Sequence, residues 1–159
     1  MDNRKLNVAC IFDGDLEVGG GYQIQLRTIL ELKKFRNANF IIFVFRKNNQ
    51  KILKKFDISF EVILVKEFFF EKLLKLISFF IFTKKFRLTT KFEKYLQKYN
   101  IDLVYFLSPN PLALDLVCHN YIFTVWDLCH RDHCEFPEVN FYRVFELREL
   151  LYNRILKKA

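Results

Sequence analysis

The chain has 159 residues, 52% of them apolar and 20 of them Phe, with 26 Lys/Arg against 18 Asp/Glu. That is enough apolar side chain for a full core, and it excludes a chain disordered by composition. No apolar run reaches the roughly 18 uncharged residues of a membrane span, and the first residues, MDNRKLNV, lack the apolar stretch of a secretory signal. The four cysteines, Cys10, Cys118, Cys129 and Cys134, therefore read as reduced thiols of a cytoplasmic protein. The charge is uneven. Residues 46–98 carry 14 Lys/Arg against 5 Asp/Glu, whereas residues 101–140 carry 1 against 6. A basic middle suits an anionic surface or a solvated basic face.

The first element is LNVACIFD, an apolar run of strand length. GDLEVGGG follows and holds all four glycines of the chain, then YQIQLRTILELKKF, with Tyr22, Leu26, Ile29 and Leu30 spaced to share a helical face. Glycine lets a ligand or another backbone come close, and a helix N-terminus offers unpaired N–H groups to an anion. Gly19, Gly20 and Gly21 are thus the candidate floor of a ligand site, against the plainer reading of a connecting turn. NFIIFVFR (39–46) predicts a second strand, and residues 47–56 a short helix with Ile52, Leu53 and Phe56 inward. FEVILV (60–65) is a third strand. Residues 68–98 read as helix in two pieces, broken near Thr83 or Thr89. IDLVYFL (101–107) and YIFTV (121–125) are a fourth and a fifth strand. A last helix spans 141–158, capped by Asn140, with Val144, Leu147, Leu151 and Ile155 inward.

Alternating strand and helix predicts an α/β, Rossmann-like parallel sheet with helices on both faces. Ligands of such sheets bind beyond the carboxyl ends of the strands, at the switch point. Here that rim comprises Asp13–Gly21, Ser108–Pro111 and Trp126–His133. A nicotinamide site would need G-x-G-x-x-G and an acidic residue ending the second strand; the glycines have other spacing and that strand ends Arg46-Lys47. A P-loop is excluded for want of G-K-[ST]. Asp127, Cys129, His130, Asp132, His133 and Cys134 crowd into eight residues. Zinc is disfavoured, because no C-x2-C pair exists and adjacent Cys-His neighbours do not converge on one ion. Acid–base work or hydroxyl binding by Asp127 and His130 is the sharper alternative. The plainer one is that Asp127 caps a turn and the histidines are solvated.

The strand–GGG–helix at 6–35, YFLSPNP at 105–111 and TVWDLCHRDHCEFPEV at 124–139 together resemble the N-terminal half of a retaining, GT-B-fold glycosyltransferase of the group 1 (family 4) type. The resemblance covers most of the chain and is least specific over 47–98. It implies two Rossmann-like domains facing across a cleft, with this one on the acceptor side and a C-terminal domain, separate from these 159 residues, binding the nucleotide-sugar. It implies further that Gly19–Gly21 lie by the donor phosphates and that Asp127 and His130 line the cleft as catalytic or sugar-contacting residues. Ser108 and Asn110 would join the substrate site. Trp126 stands where many relatives carry His. The implied partners are a nucleotide-sugar donor, a glycan or lipid-linked acceptor and the donor domain, with no metal, no cofactor and no nucleic acid. The competing reading is a non-catalytic Rossmann-like partner subunit. Finally, EFFFEKLLKLISFFIFTKKFRL (67–88) combines a basic strip with many Phe and Leu, and two readings stand side by side: a helix that lies in a bilayer interface at the inner membrane face, and a helix buried against the sheet with its lysines in water.

Overall fold

A computed structural model describes residues 4–14, 20–56, 58–65, 90–133, 135–140 and 144–159. The amphipathic segment 67–88, Gly19 and Cys134 lie outside the described residues. Five strands form one all-parallel sheet: β1 (Leu6–Phe12), β2 (Ala38–Val44), β3 (Glu61–Leu64), β4 (Leu103–Phe106) and β5 (Asn120–Phe123). Their order is β3-β2-β1-β4-β5, the arrangement of a Rossmann-like α/β fold. Leu6 pairs with Ala38 and Phe12 with Val44, while Val8 to Ile11 of β1 face Leu103 to Phe106 of β4. With a strand on either side, β1 is buried through its centre, and burial pushes the Cys10 thiol up to about 12.

Among the described residues the helices are α1 (Gly21–Leu32), α2 (Lys47–Lys55), α3 (Lys91–Lys98), two one-turn helices α4 (Cys129–Asp132) and α5 (Pro137–Asn140), and α6 (Val144–Ile155). Ile29 of α1 and Leu53 of α2 pack on Val8, Cys10, Phe12, Ile42 and Val44. Phe92 and Leu96 of α3 and Ile155 of α6 pack on the other face, against Ala9, Ile11, Phe43, Val104 and Phe106. Alternate residues of each strand thus feed opposite cores, so helices cover both faces as the continuous apolar strands require.

Local chemistry sets the ends. Thr90 caps α3 by accepting from the Glu93 amide, whereas the preceding stretch, expected as helix broken near Thr83 or Thr89, lies outside the described residues. Asn100, at φ 49°, ends the same helix in the left-handed region that Asn tolerates, and Ile101 N–H reaches back to Leu96 O at 3.0 Å. Three helix faces differ from expectation. Leu30 and Phe56 are exposed, while the polar Gln25 and Asn49 are buried instead. In α6, Leu147 is exposed and Tyr152 takes the inward place, its ring against Phe123. Tyr121 ties β5 to α6 by donating its hydroxyl to Ile155 O at 2.6 Å. Glu93, fully buried, accepts from the amides of Val117 (2.7 Å) and Cys118 (2.5 Å) and lies 3.4 Å from His119 Nδ1. Burial opposes its charge, but the two amides and His119 outweigh burial and hold the carboxyl below its usual range.

Candidate functional site

The strand order reverses between β1 and β4, and the chain leaves these two neighbours toward opposite faces of the sheet. In open parallel sheets of this kind, ligands bind beyond the carboxyl ends of the strands at such a point. Asp13 and Gly14 follow β1 there, and Ser108, Pro109 and Asn110 follow β4. The Asp13 carboxylate accepts from the Ser108 hydroxyl with one oxygen and from Asn110 Nδ2, at 2.7 Å, with the other. Asn110 Oδ1 accepts from Leu112 N–H at 2.8 Å, capping the short 3-10 turn Pro111–Asp115, and this fixes the amide that meets Asp13.

The backbone of the same turn is held from the helices. Gln25 Oε1 accepts from the amides of Asp13 (3.2 Å) and Gly14 (3.4 Å), and Asn49 Nδ2 donates to Gly14 O at 2.7 Å. Gln25 and Asn49 are each 1% exposed. Buried amides of this kind must find partners, and here the partners are the turn itself. A Cβ at Gly14 would lie 2.9 Å from Gln25 Nε2 and 3.1 Å from Tyr22 Cα, so the turn needs glycine for space. Gln25 Nε2 is buried and has no hydrogen-bond partner.

Gly20 and Gly21 begin α1 on the same rim. Gly20 is its N-cap, with φ −75° and its carbonyl accepting from Gln23 (3.0 Å) and Ile24 (3.3 Å). Among the described residues, its chain neighbours apart, no atom lies within 4 Å of where its Cβ would be, so toward them this residue faces open space. Gly21 is different. Its Cβ would lie 2.7 Å from Trp126 Cη2, because the indole folds back over the start of α1 while its Nε1–H donates to Leu107 O at 3.2 Å. The glycines of the rim thus serve two needs, packing at Gly14 and Gly21 and openness at Gly20. Gly19 lies outside the described residues.

Asp127 and His130 are placed apart from this cluster in role. Asp127 is half exposed; its Oδ1 accepts from Cys129 N–H at 3.2 Å, closing the turn that leads into α4, and Arg148 Nη1 lies 3.7 Å away. His130 is fully buried, with Nε2 2.9 Å from Glu149 Oε1, its ring against Phe145 and Tyr152, and no partner on Nδ1. Arg131 makes a two-pronged bond to the same Glu149, at 2.6 and 2.9 Å. Bonds from Arg131 and then His130 hold the Glu149 carboxyl below its usual range. In this arrangement His130 is neither solvated nor open to a ligand; it fastens α4 to α6. Among the described residues no group of three or more His, Cys, Asp or Glu could hold a metal ion.

Of the residues singled out in the sequence, Gly20, Gly21, Ser108 and Asn110 come together at the rim. Asp13 and Trp126, which the sequence places on the rim, join them, and so do Gln25 and Asn49, which it does not. Gln25 carries a readable signal, since it lies between Tyr22 and Ile29 on the inward face of an amphipathic helix. No protein-family model matches the chain, and no curated protein matches it.

Proposed function

We propose that this chain is the acceptor-side half of a GT-B glycosyltransferase, acting on a nucleotide-sugar and a glycan or lipid-linked acceptor together with a donor-binding domain. One observation carries the reading: the Asp13–Ser108–Asn110 cluster meets the open start of α1 at the switch point of the sheet. Carboxylate, hydroxyl and amide groups suit sugar hydroxyls, since together they both accept and donate. The first-turn amides of α1 suit the leaving diphosphate. Rate enhancement then comes from positioning the two sugars and from stabilising negative charge on the departing group. Asp127 contributes from the edge of the cleft by holding the 127–130 turn, and His130 by anchoring it. Such a protein works at the inner membrane face or in the cytoplasm, where nucleotide-sugars are found.

A second reading, a non-catalytic Rossmann-like partner subunit, is favoured by one specific observation: His130 is spent on Glu149 and closed to solvent. Labelled nucleotide-sugars, incubated with the chain alone and with a separately supplied donor domain, separate the two. The proposal expects label to pass to a glycan or lipid acceptor in the reconstituted mixture and to fall sharply in Asp13→Ala. Ligand binding with no transfer under any combination supports the partner subunit instead.

A further inference from the structure

The edge of the sheet opposite this site carries a different surface. In a parallel sheet, the amino ends of β1, β2 and β3 and the carboxyl ends of α1 and α2 all lie along one edge. Arg4 and Lys5 lead into β1, Lys33, Lys34 and Arg36 join α1 to β2, and Lys54 and Lys55 close α2. Only Asp57 and Glu61 oppose them within segments 4–6, 33–37 and 54–61; beyond these, Asp102 pairs with Arg4 and Glu31 with Lys34. Lys5, Arg36, Lys54 and Lys55 are exposed. Among these cations stand Leu6, Phe35 and Phe56, exposed by 52%, 65% and 45%.

Compensation of helix dipoles accounts for basic residues at the ends of α1 and α2. It does not account for three large apolar side chains left in water between them. We propose that this edge is a docking surface for an anionic lipid bilayer. Phe and Leu side chains enter the boundary between headgroups and acyl chains, while Lys and Arg stay with the anionic headgroups. Leu6 favours lipid over nucleic acid, because an aliphatic side chain gains nothing from stacking on a base. No helix among the described residues is long and apolar enough to cross a membrane, so attachment by this edge is peripheral. It leaves the Asp13 rim, at the carboxyl ends of the same strands, facing away from the bilayer. This inference stands independently of the proposed glycosyl transfer and uses no residue of segment 67–88.

Vesicle flotation of the purified full chain tests it, with phosphatidylcholine vesicles alone and with vesicles containing about three parts in ten phosphatidylglycerol. Binding to the anionic vesicles only is expected, weakening as salt is raised. Neutralising Lys5, Arg36, Lys54 and Lys55 to Gln should weaken it on the order of a hundredfold or more. Phe35→Ser with Phe56→Ser should weaken it on the order of tenfold or more with no change in melting temperature, since both rings are exposed. Binding by both variants equal to wild type overturns the proposal and moves the contact elsewhere on the chain. So does tight binding to single-stranded RNA with no recovery on anionic vesicles.

Discussion

Replacing Gly21 by alanine would put a methyl group 2.7 Å from Trp126 Cη2 and 2.9 Å from Cζ3. The ring is not free to drift, because Nε1–H is bonded to Leu107 O at 3.2 Å. It can yield only toward solvent, and in doing so it gives up that bond and part of its contact with α1. The lost bond costs about 1 kcal/mol and the disturbed packing about as much again. Against this, alanine is the better helix former by up to about 1 kcal/mol in a helix interior, and by less at a first residue such as this one. The net expectation is a loss of about 1 kcal/mol, or about 2–4 °C in Tm for a chain of this length. In a Trp126→Ala background the obstruction is gone, so the same Gly21→Ala change should be neutral or stabilising. Urea unfolding of wild type, the two single variants and the double variant gives the coupling, expected at about 1–2 kcal/mol. A coupling below about 0.5 kcal/mol, within the range of independent sites, would refute the claim that Trp126 is the reason for glycine at this position.

His130→Ala should lower stability by about 3 kcal/mol, since it empties a fully buried site between Phe145 and Tyr152 and leaves Glu149 to Arg131 alone; chemical denaturation checks this, and an unchanged midpoint would return His130 to the cleft. Glu93 has a lowered folded pKa, so its contribution is present above about pH 4.3 and is lost as pH falls below that value through the folded one. Glu93→Ala should therefore cost about 2–4 kcal/mol near neutral pH, by leaving the Val117 and Cys118 amides unpaired, and should flatten the acid side of the stability profile; an acid limb of unchanged slope would contradict this.

The elements that packing alone determines were legible in the sequence. The strand runs at 6–13, 39–46, 60–65, 101–107 and 121–125 each overlap an observed strand, with β2 and β5 starting one residue earlier than read, because a strand buried on both faces must be continuously apolar. Their carboxyl ends were read one or two residues long, since Phe45, Leu107 and Val125 are apolar without being part of the ladder. The short turns at 111–115, 129–132 and 137–140 left no periodic signature, being a single turn each. Site residues divide in the same way. Gly20, Gly21, Ser108 and Asn110 could be placed because topology puts them at strand ends. The direction in which His130 points depends on Glu149, nineteen residues away on another helix, and spacing carries no information about that. Nor could the sequence distinguish Gly21, which packs under Trp126, from Gly20, which has no such neighbour among the described residues.

The central claim is that the carboxyl-end rim around Asp13 receives the sugars and the diphosphate. Titration of the ¹⁵N-labelled chain with a panel of nucleotide-sugars and oligosaccharides, followed residue by residue, tests it most directly. The account predicts that at least one ligand shifts the amides of Asp13, Gly14, Gly20, Gly21, Ser108 and Asn110 together, and that Gly20→Val, which fills the open space at the start of α1, abolishes those shifts while leaving the fold intact. Shifts confined to α6 or to the opposite edge of the sheet, or full binding by Gly20→Val, would contradict it.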